Sequence, residues 1–136
     1  MSHSPPYLFK KAVSGRGETA RALGQWGEKL VADDLRQKGW TVVAANFRCR
    51  IGELDVVAEN EKYLAFVEVK LRKSDKFAAA CEAVTLRKQR KIRAAAQYYL
   101  MYHPTGLQPR FDVAEVYAPQ GTHTKDPCIN YIENAF

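Results

Sequence analysis

Cysteine, histidine and long apolar runs are what this chain has least of. Its three cysteines, Cys49, Cys81 and Cys128, are odd in number, widely spaced and form no CxxC pair. The three histidines, His3, His103 and His123, are scattered as well. These scarcities exclude a disulfide framework and a structural zinc site as the basis of the fold, and they suit a reducing compartment. No stretch approaches the roughly 18 consecutive apolar residues of a membrane span. The first residues hold no apolar segment of the length a secretory signal uses. A cytoplasmic protein with no membrane partner is the expectation. There is no internal repeat and no low-complexity block either.

What is present suits one domain. The chain has 136 residues, of which 46% are apolar, enough for a core at this size. Lys and Arg number 21 against 15 Asp and Glu, a net charge of +6 that makes a polyanion a plausible partner without requiring one. Residues 1–17 mix Ser, Pro, Gly and Lys without a period and predict a flexible tail. Leu23, Trp26, Leu30, Val31 and Leu35 follow helical spacing between Glu18 and Lys38, and Gly39 follows as a stop. Three strand-like runs come next, Thr41 to Phe47, Glu53 to Ala58 and Tyr63 to Leu71. A second helix is expected over Thr85 to Tyr102 and a strand over Arg110 to Tyr117, with a turn-rich extension from 119 to 136. The order α-β-β-β-α-β over residues 18–118 predicts one α/β domain with a mixed central sheet flanked by helices.

Two of these strands carry charges where apolar residues would be expected: Asp55 in "GELDVVAE", Glu68 and Lys70 in "LAFVEVKLRK". Burying a charge costs several kcal/mol unless it is paired or bound to an ion. A short turn centred on Asn60-Glu61 predicts Asp55 opposite Phe66 and Glu53 opposite Glu68. That register puts Asp55, Glu68 and Lys70 on one face with Leu64 and Phe66, the two carboxylates diagonal to each other. Two carboxylates repel unless something positive lies between them. Mg²⁺ or Mn²⁺ supplies that charge with one or two carboxylate ligands, and a nearby Lys stabilises charge on a phosphate or holds a water. The plainer alternative is a solvated face with an ordinary Glu68–Lys70 pair.

The segments "GEKLVADDLRQKGW", "ANFRCRIGELDVVA", "FVEVKLRK", "AVTLRKQRKIRAAAQYYL" and "RFDV" resemble, in order and spacing, the YraN-like family of uncharacterised bacterial proteins. That family looks like a member of the PD-(D/E)XK nuclease superfamily, close to archaeal Holliday-junction resolvases and restriction endonucleases. The resemblance implies a restriction-endonuclease-like fold and metal-dependent cleavage of DNA. It assigns Asp55 and Glu68 as acidic ligands, Lys70 as the catalytic lysine, Glu28 as the first-helix glutamate, and the Val69 carbonyl as a further metal ligand. The usual Pro-Asp is here Leu54-Asp55. Gln89 stands where some relatives carry a helix glutamine, but the tyrosine expected four residues on is Arg93.

The basic residues divide into two groups. Arg48, Arg50, Arg72 and Lys73 lie at strand ends near the proposed centre, and Arg87, Lys88, Arg90 and Lys91 surround the start of the second helix. Cations in a helix's first turn oppose its dipole by about 0.3–1 kcal/mol each, which a phosphate backbone would reverse. A solvated face is the alternative reading. Trp26 and Trp40 read as core, Cys49 and Cys81 as packing residues. The partner expected is nucleic acid, DNA over RNA, with a homodimer as a candidate assembly. Three functions remain open: a metal-dependent nuclease, a nucleic-acid-binding module that cuts nothing, and a protein-interaction domain with a vestigial centre.

Overall fold

A computed structural model describes residues 19–73 and 84–136 of the chain. The expected tail at 1–17 and Cys81 therefore lie outside the described residues. Helix α1 spans Ala20–Gln37; the Thr19 side chain caps it by accepting from the Ala22 N–H at 2.9 Å. Its end is set by Gly39, whose φ of +94° is open to glycine and strained for other residues. Strands β1 (Thr41–Arg48), β2 (Glu53–Glu59) and β3 (Tyr63–Arg72) follow, then helix α2 (Leu86–Tyr102) and strand β4 (Gln108–Tyr117). The stretch expected to be only an extension adds a 3₁₀ turn (Gly121–His123) and a fifth strand, β5 (Cys128–Ile132). The six-element order read from the sequence is thus one strand short. "CINYI" is short and none of its residues is fully buried, so its apolar signal is weak against the surrounding turn formers.

The sheet runs β1-β2-β3-β4-β5, with β3 and β4 parallel and every other pair antiparallel. Helix α2 is the crossover that a parallel pair requires. One apolar layer joins Val57, Leu64, Phe66 and Val113 to Ile92, Ala95, Ala96 and Tyr99 of α2. The other joins Val56, Ala58, Ala65, Val67, Ala114 and Val116 to Val31 and Leu35 of α1, with Trp26 and Trp40 against it. Each fully buried Val, Leu or Phe contributes about 1.5–3 kcal/mol. Gly27 lets α1 approach β3 closely, since a Cβ there would meet Leu71 Cδ2 at 3.0 Å. That approach carries the adjacent Glu28 down to the sheet.

The hairpin register differs from the expected one. Val56 pairs with Val67 and Glu59 with Leu64, a displacement of two residues. The cause is Asn60, whose side-chain oxygen accepts from the N–H groups of Lys62 at 2.9 Å and Tyr63 at 2.7 Å. This Asx turn makes Glu61 and Lys62 the loop residues, with the Asn60 N–H donating to the Tyr63 carbonyl. An even displacement preserves which face each side chain takes. Continued one step past its last pair, Val56–Val67, this register sets Asp55 across from Glu68 instead of diagonal to it.

Candidate functional site

Asp55 sits where the pleat of two strands changes phase. Val56 and Ala58 belong to the layer under α1, yet Leu54 belongs to the layer under α2. Asn46 is the residue opposite Asp55, between the pairs Ala45–Val56 and Phe47–Leu54, and it has a left-handed φ of +56°. Asn tolerates that conformation better than most residues. The last main-chain pair of the hairpin at this end is Val56–Val67. Beyond it, the Val69 N–H donates to Asp55 Oδ2 at 2.9 Å. A side chain has taken the place of a ladder carbonyl. The N–H and C=O of one strand residue point to the same neighbour, so the Val69 carbonyl opens beside Asp55.

Glu68 and Lys70 alternate with Val67, Val69 and Leu71, and so share the α2 side of β3 with Leu64 and Phe66. Glu68 is buried, and its Oε2 lies 3.8 Å from Lys70 Nζ and 3.8 Å from Lys88 Nζ. Glu28 comes to the centre from α1, on the other side of the sheet, and its carboxyl interacts with that of Asp55. Residues from both sides of the sheet thus meet at the end of the β2–β3 pair. Glu53 begins β2 beside them, with Arg48 Nη2 3.6 Å from its Oε1. A small cleft of about 110 Å³ between α1 and the strand ends is lined by Gln25, Glu28, Asn46, Arg48 and Glu53.

The electrostatics are those of crowded acids. Burial first, then the charge of Glu68, push the Asp55 carboxyl well above the usual range; the Val69 N–H opposes this, and Glu28 and Glu53 add to it. Glu28 is pushed up to about 7, first by burial and then by Glu53. Such a cluster of hard oxygen donors suits a hard divalent cation. The residues fit Mg²⁺ or Mn²⁺ as two carboxylates, Asp55 and Glu68, beside the Val69 carbonyl, with waters for the rest. Among the described residues no three His, Cys, Asp or Glu side chains are arranged to hold a metal by themselves.

The remaining expected residues separate. Arg48 borders the centre through Glu53. Arg50, Arg87, Arg90 and Lys91 are exposed, as is Lys73 at the end of β3. Arg72 turns away from solvent, its Nη2 3.4 Å from Glu115 Oε2. Gln89 is occupied with the Val84 carbonyl at 3.2 Å. Arg93 lies over the rings of Phe111 and Phe136. Cys49 packs against the α2 layer and donates its thiol to the Gly52 carbonyl.

Two buried carboxylates in "RFDVAEVY" escaped the sequence reading, although they carry the same signal as Glu68. Asp112 is fully buried under α1 and accepts from Arg110, from the Tyr131 hydroxyl at 2.5 Å and from the Asn134 N–H at 2.8 Å. That shell is complete and ties β5 to β4. Glu115 is fully buried on the α2 side and stands beside Lys70 in the parallel register. Its Oε1 accepts from the Tyr117 hydroxyl and Asn130 Nδ2, while Oε2 and Arg72 Nη2 have no aligned hydrogen bond.

Fold and centre define an α/β domain with a five-stranded mixed sheet and an acidic, lysine-bearing junction at one end of its central hairpin. No helix among the described residues is long and apolar enough to cross a membrane. The chain belongs to the UPF0102 family, the YraN-like proteins: the model of "Uncharacterised protein family UPF0102" matches residues 27–116. It is 42% identical over 117 residues to the UPF0102 protein of Clostridium acetobutylicum, covering 85% of this chain and 94% of that one. The UPF0102 protein of Syntrophomonas wolfei is 43% identical over 117 residues, covering 85% and 98%. That of Caldicellulosiruptor bescii is 39% identical over 118 residues, covering 85% and 98%. The family match spans Glu28, Asp55, Glu68, Val69 and Lys70.

Proposed function

We propose that this chain is a divalent-metal-dependent nuclease of the PD-(D/E)XK kind, with the restriction-endonuclease-like fold, that hydrolyses phosphodiester bonds in DNA. The observation that carries the reading is the convergence of Asp55 and Glu68 across adjacent strands, with Lys70 on Glu68 and Glu28 close to Asp55. Asp55, Glu68 and the Val69 carbonyl would hold Mg²⁺ or Mn²⁺. A cation there supplies Lewis acidity at the phosphate and makes hydroxide available near neutral pH. Lys70, extending from the same strand face as Glu68, stabilises charge developing on the phosphate. Glu28, with a carboxyl near 7, can hold a proton beside Asp55 and orient a water.

The substrate is read by shape. A specific sequence takes roughly 1,000 Å² or more of protein surface and several side chains aimed into a groove. Here the two helices are committed to covering the sheet, and the exposed cations Arg50, Lys73, Arg87, Arg90 and Lys91 form a rim that suits phosphates. Branched or splayed DNA offers such a rim two backbones. A cleavage panel of linear duplex, flap, fork and four-way junction, matched in sequence and salt, tests the reading with Mg²⁺ and Mn²⁺. The expected result is faster cutting of the branched substrates, reduced about 10²–10³-fold or more in Asp55→Asn, Glu68→Gln and Lys70→Ala. Cutting by Glu68→Gln at the wild-type rate would refute the assigned centre, and equal rates on all four substrates would refute shape selection. That no three His, Cys, Asp or Glu side chains among the described residues are arranged to hold a metal favours, as a second reading, a nucleic-acid-binding module that cuts nothing. Binding of DNA without cleavage, and without metal binding, is its signature.

A further inference from the structure

Two lysines meet one carboxylate oxygen. Lys70 Nζ and Lys88 Nζ each lie 3.8 Å from Glu68 Oε2, although a single carboxylate charge balances only one of them. The two are not equivalent. Lys70 stands two residues from Glu68 on the same strand face, with its side chain 31% exposed. Lys88 comes from the first turn of α2, and its side chain is 41% exposed. Its backbone is fixed, because its N–H donates to the capping Thr85 Oγ1 at 3.1 Å. Its ammonium is carried on a flexible stem. Among the described residues, Arg87, Arg90 and Lys91 of the same helix end have no ion pair, so Lys88 alone of this cluster points into the acidic junction.

We propose that Lys88 is an exchangeable counter-ion. It neutralises Glu68 while no metal is bound and is displaced toward a DNA phosphate when a divalent cation takes its place. The inference rests on the nuclease reading above, with Lys88 as a positioning residue for it. A dication and two ammoniums cannot share one buried oxygen without strong mutual repulsion. The ammonium that leaves most easily is the more exposed one, and its stem reaches solvent on the side where the basic rim lies. The exchange makes metal and lysine competitors for Glu68, and lysine and phosphate partners afterwards. That combination predicts opposite signs for two affinities.

Lys88→Met, which keeps most of the apolar stem and removes the charge, supplies the test. Calorimetry with Mn²⁺ alone, at low salt and without DNA, is expected to show binding about tenfold tighter than wild type. Affinity for a short four-way junction with saturating Ca²⁺ in place of Mn²⁺ is expected to fall by a similar factor while staying near wild type in EDTA, and Lys88→Arg to restore both affinities toward wild type. An unchanged thermal midpoint in Lys88→Met shows that the fold is intact; if it drops, Lys88→Gln and Lys88→Arg carry the comparison. A lysine with a merely structural role would weaken both affinities or move neither. Wild-type Mn²⁺ binding with no tightening in Lys88→Met would overturn the exchange and leave the nuclease reading standing. Absence of Mn²⁺ binding in every variant would overturn both.

Discussion

Glu28 couples the acidic junction to stability through a single proton. Its carboxyl ordinarily titrates at 4.5 and is pushed up to about 7 in the folded chain. Between those values the folded state keeps a proton that the unfolded state releases. Stability from this residue is therefore complete below about 4.5, is lost as pH rises toward 7, and levels off above it, the reverse of an ion-paired acid. Glu28→Gln holds a neutral group at the same place. It is expected to raise the thermal midpoint at pH 8 and leave it nearly unchanged at pH 4.5. Solvent reaching Glu28 screens the effect, which we place at about 1–2 kcal/mol. Thermal melts of the two proteins at both pH values decide it, and an equal shift at both would remove the proton from the account. A glutamate on the flank of α1 was legible in the sequence. Its proton was not, because it depends on burial in the folded chain and on Glu53 arriving from another element.

At the scale of elements, the rule that exposed Asp55, Glu68 and Lys70 was a charge inside an apolar strand run. The same rule applied to "RFDVAEVY" marks Asp112 and Glu115, whose odd spacing sends one to each side of the sheet. The helices, the four main strands and the division of residues between faces follow from periodicity. The register did not, because one side-chain oxygen on Asn60 selects the loop residues. Nor did the phase change at Asn46 and Asp55, which apolar alternation conceals. The N-terminal turn of α2 presents Arg87, Arg90 and Lys91 without acidic neighbours in that turn. Replacing these three with Ala is expected to make the slope of log K for DNA against log salt shallower by up to about 0.9 for each phosphate no longer neutralised. Fluorescence anisotropy across a salt series measures it. An unchanged slope would make that end of α2 a solvated surface and nothing more.

Over the whole molecule, the two halves of the sheet are joined by contacts of very different reach along the chain. β2 and β3 close on a two-residue loop, whereas β3 and β4 pair only after α2 has crossed over. Closing the longer connection takes more chain entropy before its contacts repay it. The hairpin is therefore the natural folding nucleus, and it forces Asp55 and Glu68 together before Lys88 on α2 can dock. The order of assembly sets carboxylate repulsion against hairpin formation, with Lys70 as the only motif cation local to it. Asn60→Ala, which loosens the turn, is expected to slow refolding. Ile92→Ala, which opens a cavity under α2 costing about 2–5 kcal/mol, is expected to act mainly by speeding unfolding. Stopped-flow chevrons of the two variants separate these limbs, and the reverse pattern would place the nucleus in the crossover. A chain that gathers its acids before Lys88 arrives passes through its least favourable electrostatics on the way to the native state, so millimolar Mg²⁺ is expected to speed the early step by screening them.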